Sequence, residues 1–347
     1  SLPLDRFLPL PHLPSLARGA FKAIACRRVL REVERRSDVI ILQLPFDSPL
    51  ALWGAAKPRV YHLCADIREM GYRSTKYAGF KRPFAVAVGS GVDWVHRGLL
   101  RDRQAAAVAN GKDLLRHCPE NLSRSIVSGT IFDREVMSVK RSRPKDAPFR
   151  VLFVGLRLAE KGLEVLLDAY LALVRRVPDA ELCIVGIDQA AGTNLPPDSA
   201  ATLQRLTEEG AVTLMGHRKF GPELFQCYAD ADVIAVPSRS EGTPRVLVEA
   251  RSFGCAAIGS RVGGIPSSID HEVDGLLVTV GSSQELSESL YRVATDLDLR
   301  RRLIENGLAR ARRSTVEAMT DAILEQTMDL LAATENETGS AVAKGSG

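Results

Sequence analysis

The sequence predicts an α/β protein of two doubly wound, parallel-sheet domains, the second complete and the first short of strands. From Arg150 onward, short apolar runs bounded by Gly, Pro, Ser or Asp alternate with segments of helical rhythm. Strands buried on both faces read as continuous apolar runs, and strand–helix alternation builds a parallel sheet covered on both sides. The amino half repeats the pattern more thinly, and a polar, Pro-broken segment, residues 141–148, reads as the linker between the halves.

At the amino end, Pro3, Pro9, Pro11 and Pro14 precede a basic helical segment. Arg18, Lys22, Arg27, Arg28, Arg31, Arg35 and Arg36 crowd around Phe21, Ile24, Val29, Leu30 and Val33. Such a helix either packs on a sheet as an ordinary surface helix or lies on an anionic membrane surface, and both readings stay open. Strands are expected at residues 39–44, 60–64, 106–109 and 125–127. A doubly wound half usually has about six strands. Because the chain starts at Ser1 and runs straight into the prolines, one or two βα units, roughly 60–80 residues, are expected to be missing in front.

In the second half, strands are expected at residues 151–154, 181–185, 212–215, 233–237, 256–259 and 276–280. Leu163, Leu166, Leu167, Tyr170, Val174 and Val177 keep a 3.6-residue rhythm before Pro178. Leu224, Phe225, Tyr228 and Ala229, then Val246, Leu247 and Ala250, continue it. A helical stretch at 316–331 follows, and the tail from residue 336 is poor in apolar residues and expected to be disordered.

Composition excludes several classes. The 347 residues are 45% hydrophobic and 25% charged, which is globular. No apolar run approaches the roughly 18–20 residues of a membrane span, and no signal peptide opens the sequence, so a cytoplasmic protein is expected. The net charge of +4 is too balanced to predict nucleic acid as a partner. Cys26, Cys64, Cys118, Cys183, Cys227 and Cys255 form no C-x-x-C pair and most sit in apolar runs, which favours buried, reduced thiols over zinc or disulfides.

Three segments carry chemistry. The first, Ser240-Glu241-Gly242-Thr243-Pro244-Arg245-Val246-Leu247-Val248-Glu249, follows a strand. Gly242 permits a tight turn and Pro244 suits a helix start, so the amides of residues 243–246 would form an anion site. Glu241 and Glu249 flank it, one placed to orient a sugar and the other to accept hydrogen bonds from ribose hydroxyls; a plain helix start with two solvated acids is the competing reading. The second segment runs from Val154-Gly155-Leu156-Arg157 to Lys161-Gly162, between a strand and a helix. Arg157 and Lys161 could hold a diphosphate there, although a solvated loop reads equally well. The third contains Gly263-Gly264-Ile265-Pro266, where the backbone at a glycine pair can approach a ligand closely or simply turn. Asp230-Ala231-Asp232 spells D-x-D, but it closes a helix and opens a buried strand, so no metal site is expected.

Together these segments resemble the donor domain of the large retaining glycosyltransferase family 4, of GT-B architecture. The resemblance rests on the run strand-Gly to Glu160-Lys161-Gly162, then Gly216-His217, Ala231-Asp232-Val233 to Pro237-Ser238, the two glutamates eight apart, Gly263-Gly264-Ile265-Pro266, and Asp274-Gly275-Leu276-Leu277-Val278. Order and spacing match over residues 150–313. The resemblance implies a fold of two Rossmann-like domains facing a cleft, with residues 1–144 on the acceptor side and 145–315 binding the donor. A helix at 316–335 would pack back on the first domain, with a tail at 336–347. It implies transfer of a hexosyl group from a nucleoside-diphosphate sugar to an acceptor hydroxyl, with retention and without a metal or other cofactor.

By the same resemblance Glu241 contacts the donor sugar, Glu249 binds ribose, and Gly242, Thr243, Pro244, Arg245 and Val246 receive the diphosphate. Lys161 matches the phosphate-binding Lys. The family's Arg directly follows the strand-end Gly, where this sequence has Leu156, and Arg157 comes one position later. Met215, Gly216 and His217 match the loop bordering the nucleobase. His62, after Val60-Tyr61, matches a His placed near the reacting sugar, with a structural histidine as the alternative. Residues 109–111 and 127–130 resemble strand ends lining the cleft, while the family's first strand and Gly-rich loop have no match. The acceptor would be a saccharide or lipid-linked saccharide, with peripheral contact at the inner membrane face. An epimerase on the same architecture, releasing free nucleotide, and a non-catalytic nucleotide-sugar binder remain as alternatives.

Overall fold

The computed structural model describes residues 19–44, 57–64, 82–102, 104–115, 118, 120–127, 129–144, 146–156, 158–189 and 194–345. They divide into two compact units, residues 1–126 with 320–347, and residues 127–319. The segment 141–148 therefore lies inside the second unit, and the division falls earlier than the expected linker. Its chain is held there by Asp230, which accepts from Ser142 N and Ser142 Oγ at 2.7 Å each.

Among the described residues, the first unit carries a four-stranded parallel sheet in the order β1-β2-β3-β4 (Ile40–Leu44, Arg59–Leu63, Ala105–Asn110, Ser123–Ile126). These are the four strands the amino half predicts. Alternation decides the packing. Ala105, Ala107 and Ala109 face Cys26 and Leu30 of α1 (Gly19–Arg36) and Val95 and Leu99 of α2 (Arg82–Leu100). Ala106 and Val108 face the other way, with Val60, against Ile323 and Leu330 of the C-terminal helix.

The second unit has six parallel strands, β5 (Arg150–Val154), β6 (Glu181–Val185), β7 (Val212–Leu214), β8 (Val233–Val236), β9 (Ala256–Ser260) and β10 (Leu276–Val278), in the order β10-β9-β8-β5-β6-β7. This is the doubly wound order, and the sequence reverses direction between β5 and β8. Val151 and Phe153 of β5 point into one apolar cluster, with Leu163, Leu166 and Leu167 of α3 (Leu163–Val174). Leu152 points into the other, with Phe225 and Tyr228 of α5 (Pro222–Ala229) and Leu247 of α6 (Arg245–Ser252). Burying a leucine side chain fully contributes about 1.5–3 kcal/mol. Two covered faces therefore explain why these strands read as unbroken apolar runs. The remaining helices are α4 (Pro197–Glu208), the short α7 (Ile265–Ser268), α8 (Ser283–Thr295), α9 (Leu297–Arg312) and α10 (Val316–Gly345).

Helix α10 begins in the second unit and continues into the first. It runs through residue 345, over most of the tail expected to be disordered. Composition argued against an independent element, but extending a formed helix adds one hydrogen bond per residue without a new nucleus. Residues 1–18, with their prolines, lie outside the described part of the chain.

Candidate functional site

The reversal between β5 and β8 places two loops at the carboxyl ends of adjacent strands, where open α/β sheets bind ligands. The loop after β5 ends at Gly162, whose φ of +71° is left-handed. A Cβ there would lie 2.1 Å from the Pro237 carbonyl oxygen, so only glycine lets this loop pack on the one following β8. Arg239 N donates to Glu160 O at 3.0 Å, and Arg239 Nε to Glu164 Oε1 at 2.6 Å, closing the same contact.

The two loops bring Lys161 and Glu241 together as a hydrogen-bonded ion pair, although 80 residues separate them in sequence. Their side chains are 29% and 13% exposed, so solvent reaches the ammonium more than the carboxylate. Ser238 Oγ donates to the same Glu241 oxygen at 3.2 Å. The turn continues through exposed Gly242 to Pro244, which precedes α6 with φ −74° and ψ 113°. No side chain caps this helix, Pro244 contributes no N–H, and Leu247 N donates back to Pro244 O at 3.2 Å. An uncapped amide end with the helix dipole behind it attracts an anion. Arg245, exposed, opens the helix and Val246 is half-buried.

The third motif supports the turn. Gly263 has φ +54°, and a Cβ on it would fall 1.7 Å from the Glu241 carbonyl oxygen. Gly264 N donates to Gly242 O at 2.8 Å. The glycine pair thus packs backbone to backbone under Glu241 and Gly242. The far end of α6 is anchored by Arg251, 2% exposed, whose Nη2 donates to Asp274 Oδ1 at 2.9 Å and Nη1 to Ser268 O at 2.6 Å. Burial pushes the Arg251 guanidinium down to about 10, against the pull of Asp274.

Glu249 is placed differently from a solvated acid. It is 6% exposed, and both oxygens accept hydroxyl hydrogen bonds, Oε2 from Tyr228 at 2.7 Å and Oε1 from Thr130 at 2.7 Å. Burial drives the Tyr228 phenol well above its usual pKa, and the neighbouring Glu249 charge adds to this, so Tyr228 remains a donor. Sequence periodicity reads Tyr228 only as core, and no local pattern ties Thr130 to a residue 119 positions away. Ser238, likewise, appears in the motif run without a role.

Gly216 follows β7 with φ +67° and lies in a row of glycines at neighbouring strand ends: Gly186 N donates to Gly216 O at 2.9 Å and Gly155 N to Val185 O at 3.0 Å. Met215 is half-buried and His217 exposed. Met215 also lines a cavity of about 240 Å³ with Leu152, Cys183, Arg218 and Cys227. Arg157 lies outside the described residues.

His62 stands on β2 of the first unit. Burial lowers its pKa, leaving the ring neutral at pH 7, and both ring nitrogens lie 3.7 Å from Cys64 Sγ. The D-x-D carboxylates are engaged elsewhere. Asp232 accepts from Arg150 N at 2.8 Å and pairs with Arg141 at 3.1 Å, while Asp230 holds Ser142. Among the described residues no group of three His, Cys, Asp or Glu is arranged to hold a metal, and no helix is long and apolar enough to cross a membrane.

Comparison with known proteins bears on the fold and on family likeness. Residues 148–296 match the family model described as Glycosyl transferases group 1. A D-inositol 3-phosphate glycosyltransferase of Saccharomonospora viridis is 33% identical over 193 residues, covering 55% of this chain and 44% of the relative. Another of that description, from Corynebacterium aurimucosum, is 36% identical over 147 residues, covering 42% of this chain and 35% of the relative. The chain thus spans less than half the length of these relatives. Among solved structures, Anabaena HepE in complex with UDP-glucose superposes with a TM-score of 0.61 at 22% identity, covering 88% of this chain and 82% of that one. A Rickettsia africae glycosyltransferase superposes at 0.66 with 16% identity, covering 92% and 84%. The fold is GT-B.

Proposed function

We propose, from the match of residues 148–296 to the family model described as Glycosyl transferases group 1, that this chain moves a hexosyl group from a nucleoside-diphosphate sugar to an acceptor hydroxyl with retention at the anomeric carbon. The observation that carries the reading is the Lys161–Glu241 pair at the strand-order reversal, one turn of chain ahead of the uncapped α6 amides. The leaving diphosphate gains negative charge while the sugar gains oxocarbenium character. Lys161 and the amide end would stabilise the first, supplying the positive charge that a metal supplies elsewhere. Glu241 would then exchange Lys161 for sugar hydroxyls, with Thr243, Pro244, Arg245 and Val246 around the diphosphate, Glu249 on ribose, Met215 and Gly216 beside the base, and His62 toward the reacting sugar. The acceptor class that fits is a saccharide or lipid-linked saccharide. Exposed Arg28, Arg31, Arg35 and Arg36 on α1 support a cytoplasmic protein touching an anionic inner membrane face.

Titration calorimetry with UDP, GDP and ADP, followed by transfer assays on the matching sugar nucleotides, tests this. One nucleotide should bind, and Glu241→Gln should abolish transfer while retaining that binding. No binding by any of the three sinks the proposal. Nucleotide released to water without an acceptor replaces transfer by the epimerase-like alternative.

A further inference from the structure

Glu249 occupies an uncommon position for a carboxylate expected at a ligand. It lies within α6, 6% exposed, and cannot find its orientation from solvent. Its two oxygens take one hydroxyl each, from elements far apart in sequence: Tyr228 on α5 and Thr130 in the segment after β4. Neither element is free to drift. Tyr228 is fully buried, its ring parallel to Phe253 at 6.3 Å between centroids. The chain around Thr130 is fixed by Val316 N donating to Ile131 O at 2.9 Å, and by Gly129, where a Cβ would meet the Ser314 carbonyl oxygen at 2.1 Å.

We propose that Tyr228 and Thr130 are positioning residues that aim the Glu249 carboxylate at a ribose diol. The proposal rests on the reading of Glu249 as the ribose contact. A carboxylate offers about four acceptor sites. Two are taken by hydroxyls fixed in the fold, and the two that remain are held in a constant direction. A cis-diol needs two acceptors at a set separation, and a carboxylate clamped through both oxygens presents them without first losing rotamer freedom. The phenol stays protonated because burial and the Glu249 charge both oppose its ionisation, so it remains a donor to the carboxylate.

The test compares the tightest-binding ribonucleoside diphosphate with its 2′-deoxy analogue, by calorimetry, on wild type, Tyr228→Phe and Thr130→Val. Wild type should favour the ribonucleotide, and each variant should lower that preference by about fivefold, the worth of one hydrogen bond, with inhibition by inorganic pyrophosphate unchanged. Tyr228→Phe keeps the ring; if it does not fold, half-buried Thr130→Val carries the comparison alone. A ribose preference retained in the folded variants overturns the positioning role. Equal binding of both analogues by wild type and by Glu249→Gln overturns instead the ribose reading beneath it, and the proposal with it.

Discussion

Removing either member of the Lys161–Glu241 pair should have opposite consequences for diphosphate binding. At about 4 Å and an effective dielectric near 20, two unit charges attract by about 4 kcal/mol before desolvation and side-chain entropy are subtracted. Exposed pairs contribute about 0.2–1 kcal/mol net, whereas breaking a buried one costs about 3–5 kcal/mol. With 29% and 13% exposure this pair lies between those limits, and Ser238 remains beside Glu241 when the lysine is gone. Lys161→Ala should therefore cost about 1–2 kcal/mol. In a unit of this size that corresponds to a Tm drop of roughly 3–6 °C. Glu241→Gln leaves a better-hydrated ammonium and a side chain that still accepts, and should cost about half as much.

Binding separates the roles more sharply. In the proposed function Lys161→Ala would delete a charge-assisted hydrogen bond to the diphosphate, about 1.5–3 kcal/mol, and should weaken nucleoside diphosphate roughly ten- to a hundredfold. Glu241→Gln releases the lysine from a competing carboxylate, so the same ligand should bind as tightly as before or several-fold more tightly, while sugar transfer is lost. Calorimetry with the free diphosphate reads both. Equal weakening in the two variants would show that the carboxylate and the phosphate do not compete for Lys161. Unchanged binding by Lys161→Ala would remove it from the site.

Gly263→Ala should destabilise the second unit by at least about 2 kcal/mol, from the left-handed backbone and the clash with Glu241 O. It should abolish nucleotide binding with it, whereas Gly242→Ala, with nothing within 4 Å of the added methyl, should leave the Tm unchanged in a thermal melt. Glu272 has its pKa lowered chiefly by hydrogen bonds from Arg292, at 2.6 and 3.0 Å. Its stabilisation is complete above the unfolded glutamate value and fades as pH falls through the lower folded value. The Tm deficit of Arg292→Ala should accordingly shrink between pH 6 and pH 3, and a deficit constant over that range would refute the linkage.

What the sequence discloses follows from how local each cause is. β5, β6 and β8 are legible because both faces are covered, which leaves runs such as Val151-Leu152-Phe153 with no polar position. Gly162, Gly263 and Gly264 are legible as turns, but the carbonyls of Pro237, Glu241 and Gly242 that require them belong to other loops. No sequence pattern singles out Arg251, which is buried on Asp274 because Gly275 and Gly307 clear room for its side chain. The surroundings of Glu249 are hidden for the same kind of reason. Its spacing from Glu241 is visible, but Tyr228 and Thr130 arrive through the sheet order and not through any pattern around position 249.

The site is joined chiefly through the main chain. The loop after β5 meets the loop after β8 through Gly162 and through Arg239 N on Glu160 O; the loop after β9 meets it through Gly263 and through Gly264 N on Gly242 O. Main-chain contacts specify where Lys161, Glu241 and the α6 amides stand without specifying what neighbouring side chains must be, provided the glycines remain. Under the proposed function, a cradle of this construction would fix the position of a diphosphate. It would leave side chains at the ends of β6 and β7, such as Asp188 and Met215, to meet the group attached to that diphosphate. Substitutions at those two positions should therefore alter which nucleotide is preferred before they alter whether a diphosphate binds at all. Substitutions at the glycines should do the reverse.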